Sequence, residues 1–126
     1  MDRIDVIKDM YQAYLDAHDL LVAGTAPSDI PTLAGFSARM DENTAFHVEA
    51  LGVELRGREA IERFMVESRE TTGIREVPER VIEHGNVVVS FNHATISGAD
   101  GEVSFPIVAV FQFRGDHLAS CWGFAG

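Results

Sequence analysis

Apolar and polar positions follow two different periods along this chain, and the change falls near Ile74. Before that residue, apolar side chains mostly recur at the spacing of one helix face. After it they alternate or form short continuous runs, which is the spacing of strands. The pattern predicts an α+β protein in which the helices precede most of the sheet.

Three helices are predicted in the first part. The first begins after Asp2, which can cap it, and ends at Gly24, which tolerates the left-handed conformation of a helix C-terminus. A second, shorter helix has Pro31 in its first turn, and a third begins after Gly57. The predicted inward residues are Ile4, Ile7, Tyr11, Tyr14, Leu15, His18, Leu21 and Val22 in the first helix, Leu33, Phe36 and Met40 in the second, and Ile61, Phe64 and Met65 in the third.

The remaining segments are predicted strands. A short strand around His47 turns at Gly52 and runs back extended to Leu55. Pro78 falls in a later strand, and because proline cannot donate a ladder hydrogen bond, an edge position or a bulge is expected there. Four strands form an antiparallel meander, at Arg75–His84, Val87–Ile96, Glu102–Phe113 and His117–Phe124. We therefore expect one domain, residues 1–126, with three N-terminal helices packed on a curved antiparallel sheet.

The strand Glu102–Phe113 is apolar on both of its faces. One face carries Val108 and Val110, and the other carries Phe105, Ile107, Ala109, Phe111 and Phe113. A strand of this kind is buried on both sides. One face is expected to meet the helices and the other a second copy of the chain, so we predict a homodimer joined through the Val108 and Val110 face.

The composition excludes several classes of partner. The chain has 126 residues, 46% of them hydrophobic, with 20 acidic and 10 basic side chains and a net charge of −10. Such a surface repels phosphate backbones and anionic lipids, so neither nucleic acid nor a membrane is an expected partner. The single Cys121 and the histidines lack metal-ligand spacing, so we expect no disulfide, metal or other cofactor. The first residues do not resemble a signal peptide and no apolar run reaches membrane-spanning length, so a cytoplasmic location is expected.

His47 and Glu49 are the sharpest candidates for chemistry. Strand alternation puts both on one face, with Phe46 and Val48 on the other. That face is either a solvated edge or the wall of a pocket. In a pocket, desolvation would raise the pKa of Glu49 and make it a usable base, with His47 orienting it or acting as an acid/base partner. At an edge, Glu49 would instead pair with an arginine such as Arg56.

Several motifs resemble a known superfamily. Gly57-Arg-Glu-Ala-Ile followed by Phe64 opens the third helix, and Arg80-Val-Ile-Glu-His-Gly-Asn-Val-Val-Val and Val108-Ala-Val-Phe-Gln-Phe-Arg-Gly-Asp-His-Leu lie in the sheet. With the order of elements, they resemble the NTF2-like superfamily, and within it the SnoaL-like and ketosteroid isomerase-like branch. The resemblance covers nearly the whole chain and implies an NTF2-like cone of helices on a curved sheet. It specifies the activity less well, because this fold hosts many unrelated functions.

The resemblance also implies roles for individual residues. In the ketosteroid isomerases, a tyrosine and a protonated aspartate hold the oxyanion while a second aspartate moves the proton. The tyrosine corresponds to Tyr14, and the base to Glu49 if one residue of slack is allowed before Gly57. The second oxyanion donor falls on Ala109, and alanine cannot donate a hydrogen bond. The resemblance therefore implies a related proton transfer rather than steroid isomerisation itself.

Two functions remain open. The first is an enzyme that isomerises, dehydrates, cyclises or hydrolytically opens a mostly apolar small molecule in an enclosed pocket, with Glu49, Tyr14 and His47 as its catalytic residues. The second is a non-catalytic module that binds a hydrophobic ligand or serves for association. They differ in whether Glu49 and Tyr14 point at one common void, since a solid core or an open solvent face would favour the module. The predicted pocket lining, with the orientation of His93 left open, is Tyr14, Phe36, Met40, Phe64, His93, Ile107, Ala109, Phe111 and Trp122.

Overall fold

The computed structural model describes residues 2–30, 37–49, 52–71, 74–98 and 100–125. Its helices are α1 (Arg3–Val22) and α2 (Arg58–Thr71), and a 3₁₀ turn covers Pro27–Asp29. Its strands are β1 (Ala45–Val48), β2 (Val53–Arg56), β3 (Ile74–His84), β4 (Val87–Gly98), β5 (Gly101–Arg114) and β6 (His117–Ala125). The predicted α+β class is confirmed.

The helix ends follow from the residues that the sequence places there. The Asp2 side chain accepts a hydrogen bond of 2.9 Å from the backbone N–H of Asp5, which satisfies one of the unpaired amides in the first turn of α1. Gly24, just beyond the end of α1, has a φ of 95°, and Gly57, just before α2, has a φ of 92°. Both conformations suit glycine because it has no Cβ to clash. The predicted boundaries at these residues are confirmed.

The second predicted helix can be compared with the structure at one position. Pro31, Leu33 and Phe36 lie outside the described residues. Met40, the last of its predicted inward residues, is fully buried in the core. The described residues hold two complete α-helices, and Ser37, which directly follows the undescribed range 31–36, is helical as well.

The described strands form one sheet in the order β2-β1-β6-β5-β4-β3. β3 to β6 pair antiparallel with their sequence neighbours, which is the predicted meander. β3 is an edge strand, and its register shifts between Pro78 and Arg80, so proline occupies the kind of position expected for it. The pairing of β1 with β6 is parallel, a long-range contact that the sequence pattern did not predict.

Residues alternate between an inner and an outer face of this sheet. The register aligns Phe111 of β5 with Val88 of β4 and with Cys121 of β6, and all three are buried beneath the helices. It likewise aligns Val110 of β5 with Trp122 of β6 on the outer face. The larger exposed apolar side chains of the outer face are Ile82, Phe91, Trp122 and Phe124.

Candidate functional site

A cavity of about 370 Å³ lies between the helices and the inner face of the sheet, and it is partly open to solvent. The helices contribute Met10, Tyr11, Tyr14, Ile61, Phe64 and Met65 to its walls. The strands contribute Phe46 and Val48 of β1, Glu76 of β3, and Ile107, Ala109 and Phe111 of β5, among others. Most of these side chains are apolar, so the few polar atoms determine what the cavity can do.

Most of the predicted lining residues border this cavity. The structure places Tyr14, Met40, Phe64, Ile107, Ala109, Phe111 and Trp122 there, and Phe36 lies outside the described residues. Trp122 has a second environment, because its ring stacks on the imidazole of His47 with centroids 3.7 Å apart. Trp122 therefore contributes to the outer face of the sheet as well as to the cavity.

Glu76 is the charged group of the cavity wall within the described residues. Its Oε2 accepts a hydrogen bond of 3.1 Å from the hydroxyl of Tyr11 and a second one from the side-chain amide of Asn92. The same amide donates to the Tyr11 oxygen at 2.8 Å, and the Asn92 carbonyl oxygen accepts from Ser90 at 2.5 Å. These four side chains form one chain of hydrogen bonds in which the partners of the carboxylate are neutral.

The two oxygens of Glu76 have different environments. Oε2 is held by Tyr11 and Asn92, whereas Oε1 accepts no hydrogen bond from the residues that the structure describes. Burial raises the pKa of the Glu76 carboxyl above its ordinary value, and the hydrogen bonds from Asn92 and Tyr11 oppose this only in part. Because Oε2 already accepts two hydrogen bonds, a proton taken up by Glu76 belongs on Oε1. The carboxyl can therefore accept or release a proton at one defined atom.

The other titratable groups of the lining hold their protons. Burial raises the pKa of both Tyr11 and Tyr14, and the negative charge of Glu76 is the next largest cause of the shift. Burial also raises the pKa of the Cys121 thiol to about 12. At neutral pH these groups are uncharged donors, so Glu76 is the group among them that can serve as a base.

Glu49 and His47 lie away from this cavity. The predicted alternation is correct, but the cavity lies on the side of Phe46 and Val48, and neither His47 nor Glu49 is among its lining residues. Glu49 follows the last residue of β1 and is exposed, so the burial on which its assignment as a base depended is absent. His47 stacks on Trp122, and its Nδ1 lies 3.9 Å from Oε1 of Glu54 on the neighbouring strand. An open solvent face at Glu49 was expected for the non-catalytic binding module, so the position of Glu49, taken alone, favours that module.

His93, whose orientation the sequence left open, does not line the cavity. His93 pairs with Pro106 on the outer face, its side chain is 51% exposed, and its Nδ1 lies 3.8 Å from Oε1 of Glu79. His18, which is partly buried, stacks on the ring of Tyr14 with centroids 6.0 Å apart. Partial burial lowers the pKa of His18, and the charge of nearby Asp19 opposes that shift.

Sequence reasoning missed Glu76, Asn92 and Ser90, although one signal was present. Inward-facing positions of β4 read Val88, Ser90, Asn92 and Ala94, and these residues are all buried. Two polar side chains within a buried row must find partners, since an unsatisfied buried polar group is costly. The opposite row contains the apolar residues Val89 and Phe91, so hydrophobicity alone does not identify the inward face of this strand.

Helices packed on one side of a curved six-stranded sheet, with a cavity between the two layers, define the NTF2-like, ketosteroid isomerase-like class of fold. Within that class the chain belongs to the SnoaL-like domain family, whose model matches residues 7–121. No curated protein matches the chain significantly.

In the described residues, no group of three or more His, Cys, Asp or Glu side chains could hold a metal ion, and no helix is long and apolar enough to cross a membrane.

Similar solved structures share the fold at low sequence identity. A protein with a ketosteroid isomerase-like fold from Catenulispora acidiphila, in complex with trimethylamine, is 15% identical with a TM-score of 0.70, covering 92% of this chain and 84% of that one. An NTF2-like protein of unknown function from Cytophaga hutchinsonii is 14% identical with a TM-score of 0.69, covering 97% and 88%. TerC, co-crystallised with polyporic acid, is 17% identical with a TM-score of 0.67, covering 94% and 92%.

Proposed function

We propose that this chain is a small-molecule enzyme that works by acid/base proton transfer, with Glu76 in place of Glu49 as the base. The observation that carries the proposal is the position of Glu76, whose Oε1 has no hydrogen-bond partner in the described residues while the carboxyl lines a mostly apolar cavity. A desolvated carboxylate is a stronger base than one in water, because water no longer stabilises its charge. Burial raises the pKa of the Glu76 carboxyl above its ordinary value, which is the direction that strengthens it as a base.

Each polar group of the network has a defined task in this proposal. Asn92 and Tyr11 fix Oε2 and so orient the carboxylate, which leaves Oε1 to take a proton from the substrate. Tyr14, also in the lining and protonated at neutral pH, donates a hydrogen bond to the substrate oxygen that gains charge. The protonated Glu76 then returns the proton to another atom of the substrate. The apolar walls exclude water, which strengthens both interactions.

The substrate class follows from the walls. A cavity of about 370 Å³ lined by aromatic rings, methionines and aliphatic side chains suits a mostly apolar organic molecule. Structures with this fold bind small molecules, trimethylamine in one relative and polyporic acid in another. The reactions in reach are those that need one acid/base group in a dry site, namely isomerisation, dehydration, cyclisation and hydrolytic ring opening.

The test uses proton exchange, which needs no knowledge of the complete reaction. The purified protein is incubated in D₂O with a panel of fused-ring ketones and 1,3-diketones, and deuterium entering the carbon next to the carbonyl is followed by NMR. We expect exchange above the buffer rate for compounds that fit the cavity. Glu76→Gln should lower the protein-dependent rate by about 10²-fold or more, the usual contribution of a general base. Glu49→Gln, which makes the same charge change on an exposed residue, should leave the rate unchanged.

The outcomes separate the two functions. A Glu76→Gln protein that exchanges as fast as the parent would refute the assignment of the base. Binding of apolar compounds without exchange of any of them would instead support the second candidate, a non-catalytic module that binds a hydrophobic ligand or serves for association. The exposed position of Glu49 is the observation that favours this candidate.

We also propose that two copies of the chain associate through the outer face of the sheet. Phe91, Trp122 and Phe124 are 41%, 37% and 38% exposed there, beside Val108 and Val110. The rings of Trp122 and Phe124 stack nearly parallel, at 4°, with centroids 6.2 Å apart, so the two side chains form one apolar row. A second copy that covers this face would remove it from water. Light scattering at micromolar concentration should give the mass of a dimer, and a monomer mass would contradict the proposal. A cytoplasmic location and a single domain stay predictions.

A further inference from the structure

The charges around the cavity are unbalanced. Glu76 lines it, and no lysine, arginine or histidine is found among its described lining residues. Burial raises the pKa of the Glu76 carboxyl, and the hydrogen bonds that partly oppose this shift come from Asn92 and Tyr11, which are neutral groups. The protein as a whole has a net charge of −10, so its field attracts cations and repels anions. Arg75, whose charge lowers the pKa of Tyr14, lies 3.6 Å from Asp19 and is not among the lining residues. A ligand carrying a carboxylate or phosphate would therefore meet repulsion at Glu76 with no cationic partner among the described lining residues.

The second carboxylate oxygen of Glu76 favours a ligand that carries a hydrogen-bond donor. Oε1 is an acceptor with no hydrogen-bond partner in the part of the chain that the structure describes. A ligand that brings an O–H or N–H group can satisfy it. Between these, a protonated amine forms the stronger, charge-assisted hydrogen bond and also neutralises the carboxylate.

Aromatic rings surround the same end of the cavity. Tyr11, bonded to Glu76, meets Phe111 edge-on with centroids 5.9 Å apart and Tyr14 edge-on at 6.5 Å. All three residues line the cavity. A cation near the face of such a ring is attracted by the negative charge of its π system. The carboxylate and the rings thus favour the same ligand group, an ammonium.

We propose that the cavity binds organic amines in their protonated form, with an N–H donated to Oε1 of Glu76 and the hydrocarbon part against the apolar walls. The inference rests on the cavity of the proposed function and names a class of ligand for it. An amine bound in this way occupies the proposed base, so it would compete with substrates whose proton Glu76 removes.

The experiment compares three compounds of one shape, namely 2-aminotetralin, 2-tetralol and tetralin-2-carboxylate. Their affinities are measured by calorimetry at neutral pH with the parent protein and two variants. We expect the amine to bind at least about tenfold more tightly than the alcohol, a difference of about 1.4 kcal/mol, and the carboxylate to bind more weakly than either. Glu76→Gln should abolish the preference for the amine over the alcohol. Glu79→Gln makes the same charge change on the exposed side of the same strand and should keep the preference.

The results distinguish failure of this inference from failure of the proposed function. Equal affinities of the parent for amine and alcohol would overturn the inference and leave the cavity as a site for neutral molecules. Equal loss of preference in Glu76→Gln and Glu79→Gln would also overturn it, because general surface charge would then explain the binding. If none of the three compounds binds, the cavity itself fails as a ligand site, and both proposals fall.

A measurement on the unaltered protein guards against a folding defect in the variant. Lowering the pH protonates Glu76, while Tyr11, Tyr14 and Cys121 are neutral throughout because their pKa values are raised. His18, stacked on Tyr14, also gains a proton as the pH falls, so the titration is repeated with His18→Asn to isolate Glu76. The affinity for the amine should therefore fall with pH and the affinity for the alcohol should hold. A constant ratio between the two affinities across the titration would overturn the inference.

Discussion

Replacing Tyr11 with phenylalanine tests how strongly the hydrogen-bond network holds Glu76. The substitution removes one hydroxyl and keeps the buried ring with its edge contacts to Phe111 and Tyr14. The lost hydroxyl donates to Glu76 Oε2 at 3.1 Å and accepts from Asn92 at 2.8 Å. Every other part of the cavity wall is unchanged, so the effect reports on these two hydrogen bonds.

The expected magnitude depends on the protonation state of Glu76. A hydrogen bond to a charged group contributes about 1.5–3 kcal/mol and a neutral one about 1 kcal/mol. At 3.1 Å the Tyr11 to Glu76 contact is long for a charge-assisted bond, so the lower end of that range applies. Adding about 1 kcal/mol for the lost hydrogen bond from Asn92, we expect Tyr11→Phe to lower the free energy of unfolding by about 2.5 kcal/mol when Glu76 is ionised and by about 2 kcal/mol when it is protonated.

The pH dependence has a definite sign. The folded-state pKa of Glu76 lies above the ordinary value of 4.5, so ionising it as the pH rises lowers the free energy of unfolding. That loss begins near the ordinary value and is complete once the pH exceeds the folded-state pKa. Tyr11→Phe removes a hydrogen bond that lowers this pKa, so in the variant the loss is larger and extends to higher pH.

The assay is urea unfolding of parent and variant at several values between about pH 5 and pH 8, where the difference between the two proteins isolates Tyr11. Tyr14→Phe is the matched control, because it removes a hydroxyl one turn away that does not hydrogen-bond to Glu76. A destabilisation by Tyr11→Phe that stays constant with pH would refute the reasoning. So would an equal pH dependence in Tyr14→Phe.

Three further substitutions test the fold, the cavity and the outer face. Gly57→Ala should lower the free energy of unfolding in urea by roughly 1–3 kcal/mol, because the residue has a φ of 92° and a Cβ would lie 3.3 Å from a backbone oxygen. Gly85→Ala, with a φ of 60° and open space around it, should lower it by less, and equal losses would contradict this. Ala109→Leu should fill part of the cavity, weakening binding of apolar probes at little cost in stability, whereas a large loss of stability would indicate that the cavity cannot accept the side chain. Val110→Lys should shift light scattering from dimer towards monomer while circular dichroism stays that of the parent, and an unchanged dimer would exclude this face.

Local patterns in the sequence predicted most of the described fold because local chemistry fixes the element ends. Asp2, Gly24 and Gly57 mark helix boundaries through capping and positive φ, and the turns of the meander are similarly marked by glycine. The parallel pairing of β1 with β6 has no local signal, since it joins residues far apart in the chain. It could be expected only through the resemblance to the superfamily.

The site was harder to predict because both faces of the sheet carry apolar residues. Alternation grouped His47 with Glu49 correctly, but it could not tell which face of β1 covers the cavity. In β3, the register shift between Pro78 and Arg80 breaks the alternation, so the inward position of Glu76 could not be inferred from residues beyond the bulge. Tyr11 was recognised as an inward residue of α1, yet its partner on β3 can be found only from tertiary contacts.

The alternation of β5 has a consequence for how proteins of this kind can diverge. Ile107, Ala109 and Phe111 face the cavity, while Val108 and Val110, between them in the chain, face outward. Changes at odd-numbered positions can therefore alter what the cavity accepts without touching the outer face that we propose for association, and the reverse holds for even-numbered positions. Within one short segment, selection for a new ligand and selection for an unchanged assembly can act on neighbouring codons almost independently.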